Sequence, residues 1–242
     1  MIDNKIIKFS SGESTNEVFR IGDIVYRTRG KNSKLTHQIY KELENAGFSY
    51  SPRLLGIDDH NREMISFIDG ENIRDEKLSI EIVIEAIQIL RQFHDALSIT
   101  EINEGEETIC HMDYAPWNVL HKDGKIVGII DFDDARPGHR LTDLVYASWT
   151  FLELGHSNSL KNTERQIEEI SMLIDAYGEI DVTDFVDELL QEQKKILKYR
   201  KKRILKAENE NDKDQRASVY NEIIKQIEWT ENNRKLINKR IS

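Results

Sequence analysis

The sequence predicts an α+β protein, with β-strands in its N-terminal quarter and helices through most of the remainder. Residues 5–29 read as strand, turn and strand, and Glu63–Ile68 as a further strand that ends at a turn, Asp69-Gly70. Over residues 78–97 apolar side chains recur at helical spacing and cover nearly the whole circumference, which predicts a buried helix. Further helices are predicted at residues 144–154 and 216–237, with a break in the pattern at Glu208–Asp212. Residues 164–192 read as amphipathic, and a second helix in this region carries Phe185, Val186, Leu189 and Ile196.

The composition indicates an acidic protein of one large or two small domains. The chain has 242 residues, of which 32% are charged, and its formal net charge is -10. A chain of this length can bury a sizeable core. The negative balance disfavours nucleic acid as the main partner and is compatible with cationic small molecules.

The sequence contains no predicted membrane segment and no export signal. No apolar run approaches the roughly 20 residues that a bilayer-spanning helix needs, and the first residues lack the apolar region of a signal peptide. Cys110 is the only cysteine, so an internal disulfide is impossible. We therefore expect a cytoplasmic protein without a membrane partner.

A polar loop between apolar segments carries the strongest chemical signal in the chain. It reads H-x-D-x-x-x-x-N, with His111, Asp113 and Asn118 at the fixed positions, and an apolar strand follows directly. Loops held between strands commonly carry catalytic side chains, because the strands fix the direction in which the loop points. Phosphoryl transfer needs a carboxylate that accepts a hydroxyl proton and an amide oxygen that binds magnesium, which predicts these roles for Asp113 and Asn118. His111 is expected to brace the loop through hydrogen bonds.

A cluster of acids follows the next predicted strand, Ile126–Ile130. Asp131, Asp133 and Asp134 lie within four residues, and carboxylates that crowd together repel one another unless a cation lies among them. This crowding predicts a metal site. Asp131 is the preferred magnesium ligand beside Asn118, Asp133 is a possible second ligand from this cluster, and Asp134 is expected to face solvent.

With these two segments, in this order and some twenty residues apart, the chain resembles the aminoglycoside phosphotransferase and choline kinase-like family, relatives of the protein kinases. The resemblance extends over most of the chain, and the further segments that carry it are Pro52–Gly56, Ser66–Gly70, Leu90–Asp95 and Pro137–Leu144. It implies a bilobal, protein-kinase-like α+β fold. A small N-terminal lobe with an antiparallel sheet, residues 1–67, would bind the nucleotide. A larger, mainly helical C-terminal lobe, residues 68–242, would carry the catalytic loop and bind the acceptor.

The resemblance also implies a nucleotide site in the N-terminal part of the chain. Ser11 and Gly12 lie in a polar turn that matches the family's phosphate-covering loop, where backbone N–H groups can form an anion-binding nest. An ordinary hairpin turn is an equal alternative. Arg27 lies where the family commonly has its phosphate-contacting lysine, and the backbone of Ser66 and Ile68 matches the positions that pair with adenine.

At Arg27 the chain also departs from the family pattern. Arginine can bind phosphate through two parallel hydrogen bonds, but it is not a geometric equivalent of lysine. In the following helix, Thr36 and His37 occupy the place of the glutamate that would pair with the lysine. The usual lysine–glutamate ion pair is therefore absent or rebuilt. The alternative interpretation of Arg27 is a solvated arginine on a strand.

The function that the resemblance implies is transfer of the γ-phosphoryl group of ATP or GTP, with Mg²⁺, to a hydroxyl of a small molecule. An aminoglycoside or an amino-alcohol is a possible acceptor. Residues 164–192 contain ten acidic residues, in the part of the chain that walls the acceptor site in the family, and carboxylates around a cleft concentrate cationic ligands. We therefore expect a cationic acceptor, although the same acids can simply face solvent.

Two other classes of function stay open at this point. One is a nucleotide-binding module without transfer activity, suggested by the altered lysine–glutamate pair. The other is a metal-dependent hydrolase built from His111, Asp113, Asp131 and His139, which would use a transition metal and no nucleotide. The hydrolase is the less favoured, because the histidine spacings that such sites need are absent from the sequence.

Overall fold

The computed structural model of the protein describes residues 6–9, 17–73 and 78–242. The chain forms two compact units. The first consists of residues 1–78 and 89–139, and the second of residues 79–88 and 140–242. Each unit is described separately below.

The N-terminal part of the first unit is a five-stranded antiparallel sheet with the strand order β1-β2-β3-β5-β4. The strands are β1 (Ile6–Lys8), β2 (Val18–Ile21), β3 (Ile24–Thr28), β4 (Leu54–Ile57) and β5 (Arg62–Ser66). The central strand β3 pairs with β2 on one side and with β5 on the other. The predicted strands of this region are therefore confirmed, and the pairing of β3 with β5, which are distant in sequence, is what the structure adds.

Helix α1 (Ser33–Asn45) follows β3 and turns one apolar face inward. Its buried residues Thr36, Ile39, Tyr40 and Leu43 recur every three or four positions, as in a helix that packs along one stripe. The helix ends where Phe48 donates its backbone N–H to the carbonyl of Leu43. The buried stripe sets which side chains of α1 face the interior of this unit.

The remaining part of the first unit holds the predicted catalytic segments. Its elements are β6 (Glu71–Asn72), the end of α2 (Ile80–Leu97), β7 (Thr108–Cys110), β8 (Val119–Lys122), β9 (Lys125–Ile129) and β10 (Arg136–Gly138). Strands β8 and β9 form a tight hairpin, because Asp123 and Gly124 both adopt the positive φ that a two-residue turn requires. Helix α2 confirms the predicted buried helix, since its apolar residues are covered nearly all round.

The second unit is helical. Its main elements are α3 (Arg140–Leu152), α4 (Thr163–Tyr177), α5 (Phe185–Ile204) and α6 (Glu210–Ile241). The indole N–H of Trp149 on α3 donates to the side-chain oxygen of Gln226 on α6 at 3.1 Å, in a buried position. In the described residues, no helix has both the length and the apolar character that crossing a membrane requires.

The start of the last helix corrects one prediction. A break was expected at Glu208–Asp212 and the last helix from about Arg216; the structure has the break, but it lies earlier, between the end of α5 at Ile204 and the start of α6 at Glu210. The side chain of Asn209 caps the helix by accepting the backbone N–H of Asp212 at 2.9 Å. Acidic side chains are favourable in a first helical turn, because they face the positive end of the helix dipole.

Gly155 provides a test of packing in the second unit. Its φ is +69°, and an added Cβ would lie 2.7 Å from the Cβ of Trp229. Gly47 in the first unit has a similar φ of +73° but open space around it. We expect Gly47→Ala to lower the free energy of unfolding by about 1 kcal/mol through backbone strain, and Gly155→Ala by roughly 2–4 kcal/mol, because a steric clash adds to that strain. Equal losses for the two variants in urea denaturation would contradict this account.

Candidate active site

The loop after β7 holds Asp113 and Asn118 in one hydrogen-bonded arrangement. The side-chain N–H₂ of Asn118 donates to the carboxylate of Asp113 at 2.8 Å and to its backbone carbonyl at 2.9 Å. The indole N–H of Trp117 donates to the same carboxylate oxygen at 3.2 Å. The loop closes in a short 3-10 turn, Pro116–Asn118. With its nitrogen committed to Asp113, the Asn118 amide directs its oxygen away from that carboxylate.

The end of β9 is tied to this loop at Ile130. The backbone N–H of Ile130 donates to the carbonyl of Asn118 at 2.9 Å. The carbonyl of Ile130 lies 3.1 Å from Nε2 of His111, a contact of the bracing kind expected for this histidine. Asp131, the next residue, has a φ of +68°, which costs a non-glycine residue of order 1 kcal/mol. Both bonds therefore fix where Asp131 stands relative to the loop.

Beneath the acids, the side chain of Phe132 is fully buried among other rings. Its ring centroid lies 4.9 Å from that of His111, 5.4 Å from that of Tyr40 on α1 and 5.8 Å from that of Phe93 on α2. Aromatic side chains packed in this way dominate the energetics of a small core. Phe132 thus anchors the backbone between Asp131 and Asp133 from below.

Asp131 is reached by solvent but lies among protein atoms and other charges. Desolvation raises the pKa of its carboxyl above the usual range, and the negative charges of Asp133 and Asp113 raise it further. The partial charge of His111 and the guanidinium of Arg27 act in the opposite direction. Desolvation is the larger cause and the neighbouring carboxylates add to it, and a cation bound beside Asp131 would offset both effects.

Arg27 on β3 is held by two carboxylates. Its Nε donates to Glu63 on β5 at 2.7 Å, and one terminal nitrogen donates to Asp133 at 2.5 Å. Burial works against the charged guanidinium, but its surroundings, chiefly Tyr40, Asp133 and Glu63, outweigh that and raise the pKa of Arg27. Arg27 is therefore not a solvated strand arginine: it is a buried cation with fixed partners.

Glu63 is the residue that sequence reasoning missed. Its side chain is fully buried, and its second carboxylate oxygen lies 2.9 Å from Nε2 of His37 on α1. The family's lysine–glutamate ion pair is therefore replaced by a pair between Arg27 and Glu63, in which the carboxylate comes from β5 and not from the helix. One local signal existed. Glu63 lies two positions before the buried Ile65, so both side chains are on the same, interior face of β5. The cross-strand register that brings it to Arg27 could not be read locally.

Asp133 and Asp134 differ in their surroundings. The carboxylate of Asp133 accepts from Arg27, and its backbone carbonyl accepts from the side chain of Asn32 at 3.2 Å. Gly30 lies so close that an added Cβ would come within 3.1 Å of the Asp133 carboxylate. Asp134 is exposed. Asp133 is therefore flanked by Arg27, Asn32 and Gly30, whereas Asp134 lies at the surface.

The predicted nucleotide-binding positions are only partly described. The backbone N–H of Ser66 donates to the carbonyl of Arg53 at 2.9 Å, so it is already used within the sheet. Ile68 follows the end of β5 and packs its side chain against Gly128. In the described segments of the chain, no backbone hydrogen bond uses the N–H of Ile68. The adenine contacts stay a prediction. Ser11 and Gly12 lie outside the described residues.

The hydrolase alternative is not supported by the geometry. Over residues 6–9, 17–73 and 78–242, the ligand atoms of His111, Asp113, Asp131 and His139 do not gather into a group that could bind one ion. Zinc-type sites need three or four protein ligands around the metal. Magnesium commonly binds through one or two carboxylates with water and phosphate oxygens, so the same geometry remains compatible with it.

Comparison with known proteins agrees with this chemistry. The model of the phosphotransferase enzyme family matches residues 97–189, which include the Asp113–Asn118 loop and the acids after β9. The chain is 29% identical over 189 residues to the trifolitoxin immunity protein of Rhizobium leguminosarum bv. trifolii, a match that covers 69% of this chain and 72% of that protein.

Solved structures of similar fold cover nearly the whole chain. A choline/ethanolamine kinase family protein from Mesorhizobium loti matches with a TM-score of 0.58 and 16% identity, over 93% of this chain and 92% of that one. The ADP-bound aminoglycoside phosphotransferase APH(2'')-Ib matches with a TM-score of 0.57 and 15% identity, over 94% of each chain. The GDP complex of aminoglycoside 2'-phosphotransferase-IIIa matches with a TM-score of 0.59 and 14% identity, over 95% and 93%.

These matches show the fold. The fold is the predicted kinase-like α+β fold, with an antiparallel sheet in the N-terminal region and a helical C-terminal part. The resemblance to the aminoglycoside phosphotransferase and choline kinase-like family is confirmed by the family model and by the structures together. The family model supports a phosphotransferase. The boundary between lobes near residue 67 stays a prediction.

The acid cluster generates a prediction on metal-dependent binding. Asp131→Asn should weaken magnesium-dependent nucleotide binding by at least about 10–100-fold, the loss seen when even the outer partners of a metal site are removed. Asp134→Asn is the matched control, since it removes an exposed acid from the same turn. Titration calorimetry with the nucleotide, with and without Mg²⁺, separates the two variants. Similar affinities in the two variants would remove Asp131 from the metal site.

The raised pKa of Asp131 also predicts how stability depends on pH when chelator removes divalent cations. An acid whose folded-state pKa is raised binds its proton more tightly in the folded protein, so its ionisation costs stability as pH rises through the window above its usual value near 3.8. Asp131→Asn should therefore raise the melting temperature at pH 7.5, and this advantage should shrink as pH falls towards 4. A variant less stable than the wild type at pH 7.5 would contradict the charge-repulsion account.

Proposed function

We propose that the protein transfers the γ-phosphoryl group of ATP or GTP to a hydroxyl of a small molecule. The observation that carries the proposal is the arrangement of Asp113 and Asn118, in which one amide orients the carboxylate and keeps its own oxygen available. The hydrogen bond from the backbone N–H of Ile130 to the carbonyl of Asn118 supports the proposal, because this bond fixes the acid cluster relative to the loop. The family match covers both segments.

In this proposal Asp113 is the catalytic residue. Its carboxylate accepts a hydrogen bond from the acceptor's hydroxyl and takes the proton as the oxygen forms its bond to the γ-phosphorus. The bond from phosphorus to the leaving oxygen breaks, and the nucleoside diphosphate departs with that oxygen. The contribution of the protein is mainly to position the groups and to compensate their charge.

The residues present fit a magnesium ion. Asn118 and Asp131 would hold the ion. Asp133 is only a second candidate for a ligand, because one of its carboxylate oxygens already accepts a hydrogen bond from Arg27. Desolvation and the negative charges of Asp133 and Asp113 raise the pKa of Asp131, and a cation bound there would offset both. When bound, the ion neutralises charge on the phosphate oxygens.

The nucleotide would bind to the sheet of the first unit. Arg27 would contact phosphate through the guanidinium N–H groups that Glu63 and Asp133 do not use, and backbone groups of Ser66 and Ile68 would pair with the base. Ser11 and Gly12 are proposed to cover the phosphates. Residues 1–67 then form the nucleotide-binding lobe and residues 68–242 the catalytic and acceptor-binding lobe, in a protein we place in the cytoplasm.

The acceptor is proposed to be a cationic small molecule, such as an aminoglycoside or an amino-alcohol. Similar structures include enzymes with kanamycin and gentamicin bound, which supports this class. Of the ten acids at residues 164–192, several are compensated by ion pairs inside the second unit: Glu168, Glu169, Asp187 and Glu192. Attraction of the acceptor would therefore depend on the remaining acids.

The similarity to the trifolitoxin immunity protein favours a second candidate, protection of the cell against a toxin. The two functions are compatible if phosphorylation inactivates the toxic compound. A strain expressing the wild-type chain should then survive a compound that kills a strain expressing the Asp113→Asn variant. Equal protection by both would indicate immunity by binding alone.

The proposal predicts that Asp113→Asn separates binding from turnover. The amide has nearly the same shape as the carboxylate, so affinity for the Mg²⁺–nucleotide complex should change little. Turnover should fall by about 10²–10⁴-fold, because the proton acceptor is lost. A thermal-shift screen of aminoglycosides, amino-alcohols and sugars with Mg²⁺–ATP identifies an acceptor for the assay. Near-normal turnover in the variant would remove Asp113 from the catalytic role.

The charge of the acceptor is tested by ionic strength. If the acids at residues 164–192 attract a cationic acceptor, its KM should rise as salt increases from about 0.05 to 0.5 M, because salt screens exposed charges. The KM of the nucleotide, measured in the same series, shows how far salt affects phosphate binding. An acceptor that is neutral or anionic, or whose KM is insensitive to salt, would refute the cationic acceptor and leave phosphoryl transfer standing.

A further inference from the structure

A three-residue chain of contacts joins two strands and a helix of the first unit. Glu63 on β5 accepts from Nε of Arg27 on β3 through one carboxylate oxygen, and its other oxygen lies 2.9 Å from Nε2 of His37 on α1. Glu63 is fully buried, and Arg27 and His37 are 12% and 18% exposed. The contacts therefore form away from bulk water, where hydrogen bonds to charged groups are strong.

The carboxylate in this chain comes from a strand and not from the helix. The interior stripe of α1 offers Thr36 and Tyr40, and His37 beside them, but no acid. Arg27 and Glu63 are directly opposite each other in the β3–β5 ladder, where side chains of paired residues lie close enough to interact. The position of Glu63 beside Arg27 is thus set by backbone pairing, and a shift of α1 alone would not break it.

Glu63 and Asp133 hold the guanidinium at two different nitrogens. Nε is bonded to Glu63 and a terminal nitrogen to Asp133, and two fixed bonds determine both the position and the plane of a guanidinium. The directions of the N–H groups that remain are then fixed as well. Without Glu63, Arg27 would keep a single bond to a carboxylate at the acid cluster and could rotate about it.

We propose that Glu63 is the positioning residue for Arg27, and that His37 couples helix α1 to it. This inference rests on the proposed function, because it assigns Arg27 to the nucleotide phosphates. Glu63 takes the place that a helix glutamate has beside the lysine in the family pattern. The helix contributes a histidine, whose contact reaches Arg27 only through the shared carboxylate.

Two pairs of variants test this proposal. Glu63→Met removes both bonds at similar volume, whereas Glu63→Gln keeps an oxygen for Arg27 and a nitrogen for His37. His37→Leu removes the link to the helix, whereas His37→Gln places an amide nitrogen near the position of Nε2. Asp58→Asn is the matched control, because it alters another ion pair of the same sheet, with Arg62, away from Arg27.

Steady-state kinetics gives the first measurement. Glu63→Met should raise the KM of the nucleotide by about 10–100-fold, in line with the loss of a hydrogen bond to a charged group, and leave the KM of the acceptor unchanged. Glu63→Gln should recover most of that loss. His37→Leu should also raise the KM of the nucleotide, but by less than Glu63→Met, and His37→Gln should recover that loss. Asp58→Asn should have the same nucleotide KM as the wild type. A nucleotide KM in Glu63→Met equal to that of the control, or a rise in both KM values alike, would overturn the proposal.

A second measurement is independent of activity. The Nε–H resonance of Arg27, assigned by its absence in Arg27→Lys, should exchange slowly with water in the wild type and faster in His37→Leu, where the anchor is weakened. Unchanged exchange in that variant would overturn the coupling through His37. If the wild type transfers no phosphate to any acceptor, the proposed function fails, and the exchange data still decide whether His37 helps to hold Arg27 through Glu63.

Discussion

The candidate site is governed by an excess of carboxylate over positive charge. Arg27 carries the one buried guanidinium charge described there, and Glu63 and Asp133 are both hydrogen-bonded to it. Asp131 forms no ion pair within the described residues, and desolvation and the neighbouring acids raise its pKa. Two needs follow from this imbalance. In the proposed function, a cation bound near Asp131 would offset this charge before a polyphosphate approaches, and Arg27 would have to stay in place between its two carboxylate partners.

The backbone around the acids is built to withstand that repulsion. Ile130 is bonded through its N–H to Asn118 and through its carbonyl to His111, and Phe132 is packed below among other rings. Asp131 keeps a left-handed backbone conformation between these two anchored residues. Strain of this kind persists only where the surroundings determine the conformation strongly, and it is concentrated at functional sites. The packing that looks structural is therefore part of how the acids are kept close together.

Sequence reasoning found the parts of the site that are local in the chain and missed the part that is not. Asp113 and Asn118 are five residues apart in one loop, and Asp131 and Asp133 share one turn, so spacing alone revealed them. Glu63 reaches Arg27 through the register of two strands separated by 36 positions, and a one-residue slip would turn it to the other face. The fold followed from hydrophobic periodicity and the family motifs. The early start of α6 depended on the Asn209 cap, a single side-chain bond that periodicity does not report.

The most direct test of the central claim is to follow the phosphorus atoms themselves. Wild-type protein with Mg²⁺–ATP or Mg²⁺–GTP and an acceptor from the screen would be monitored by ³¹P NMR. The account predicts loss of the γ-phosphate signal together with growth of nucleoside diphosphate and of a phosphomonoester signal, in equal amounts, on the acceptor. Release of inorganic phosphate alone, or an unchanged nucleotide spectrum in the presence of a bound acceptor, would contradict it.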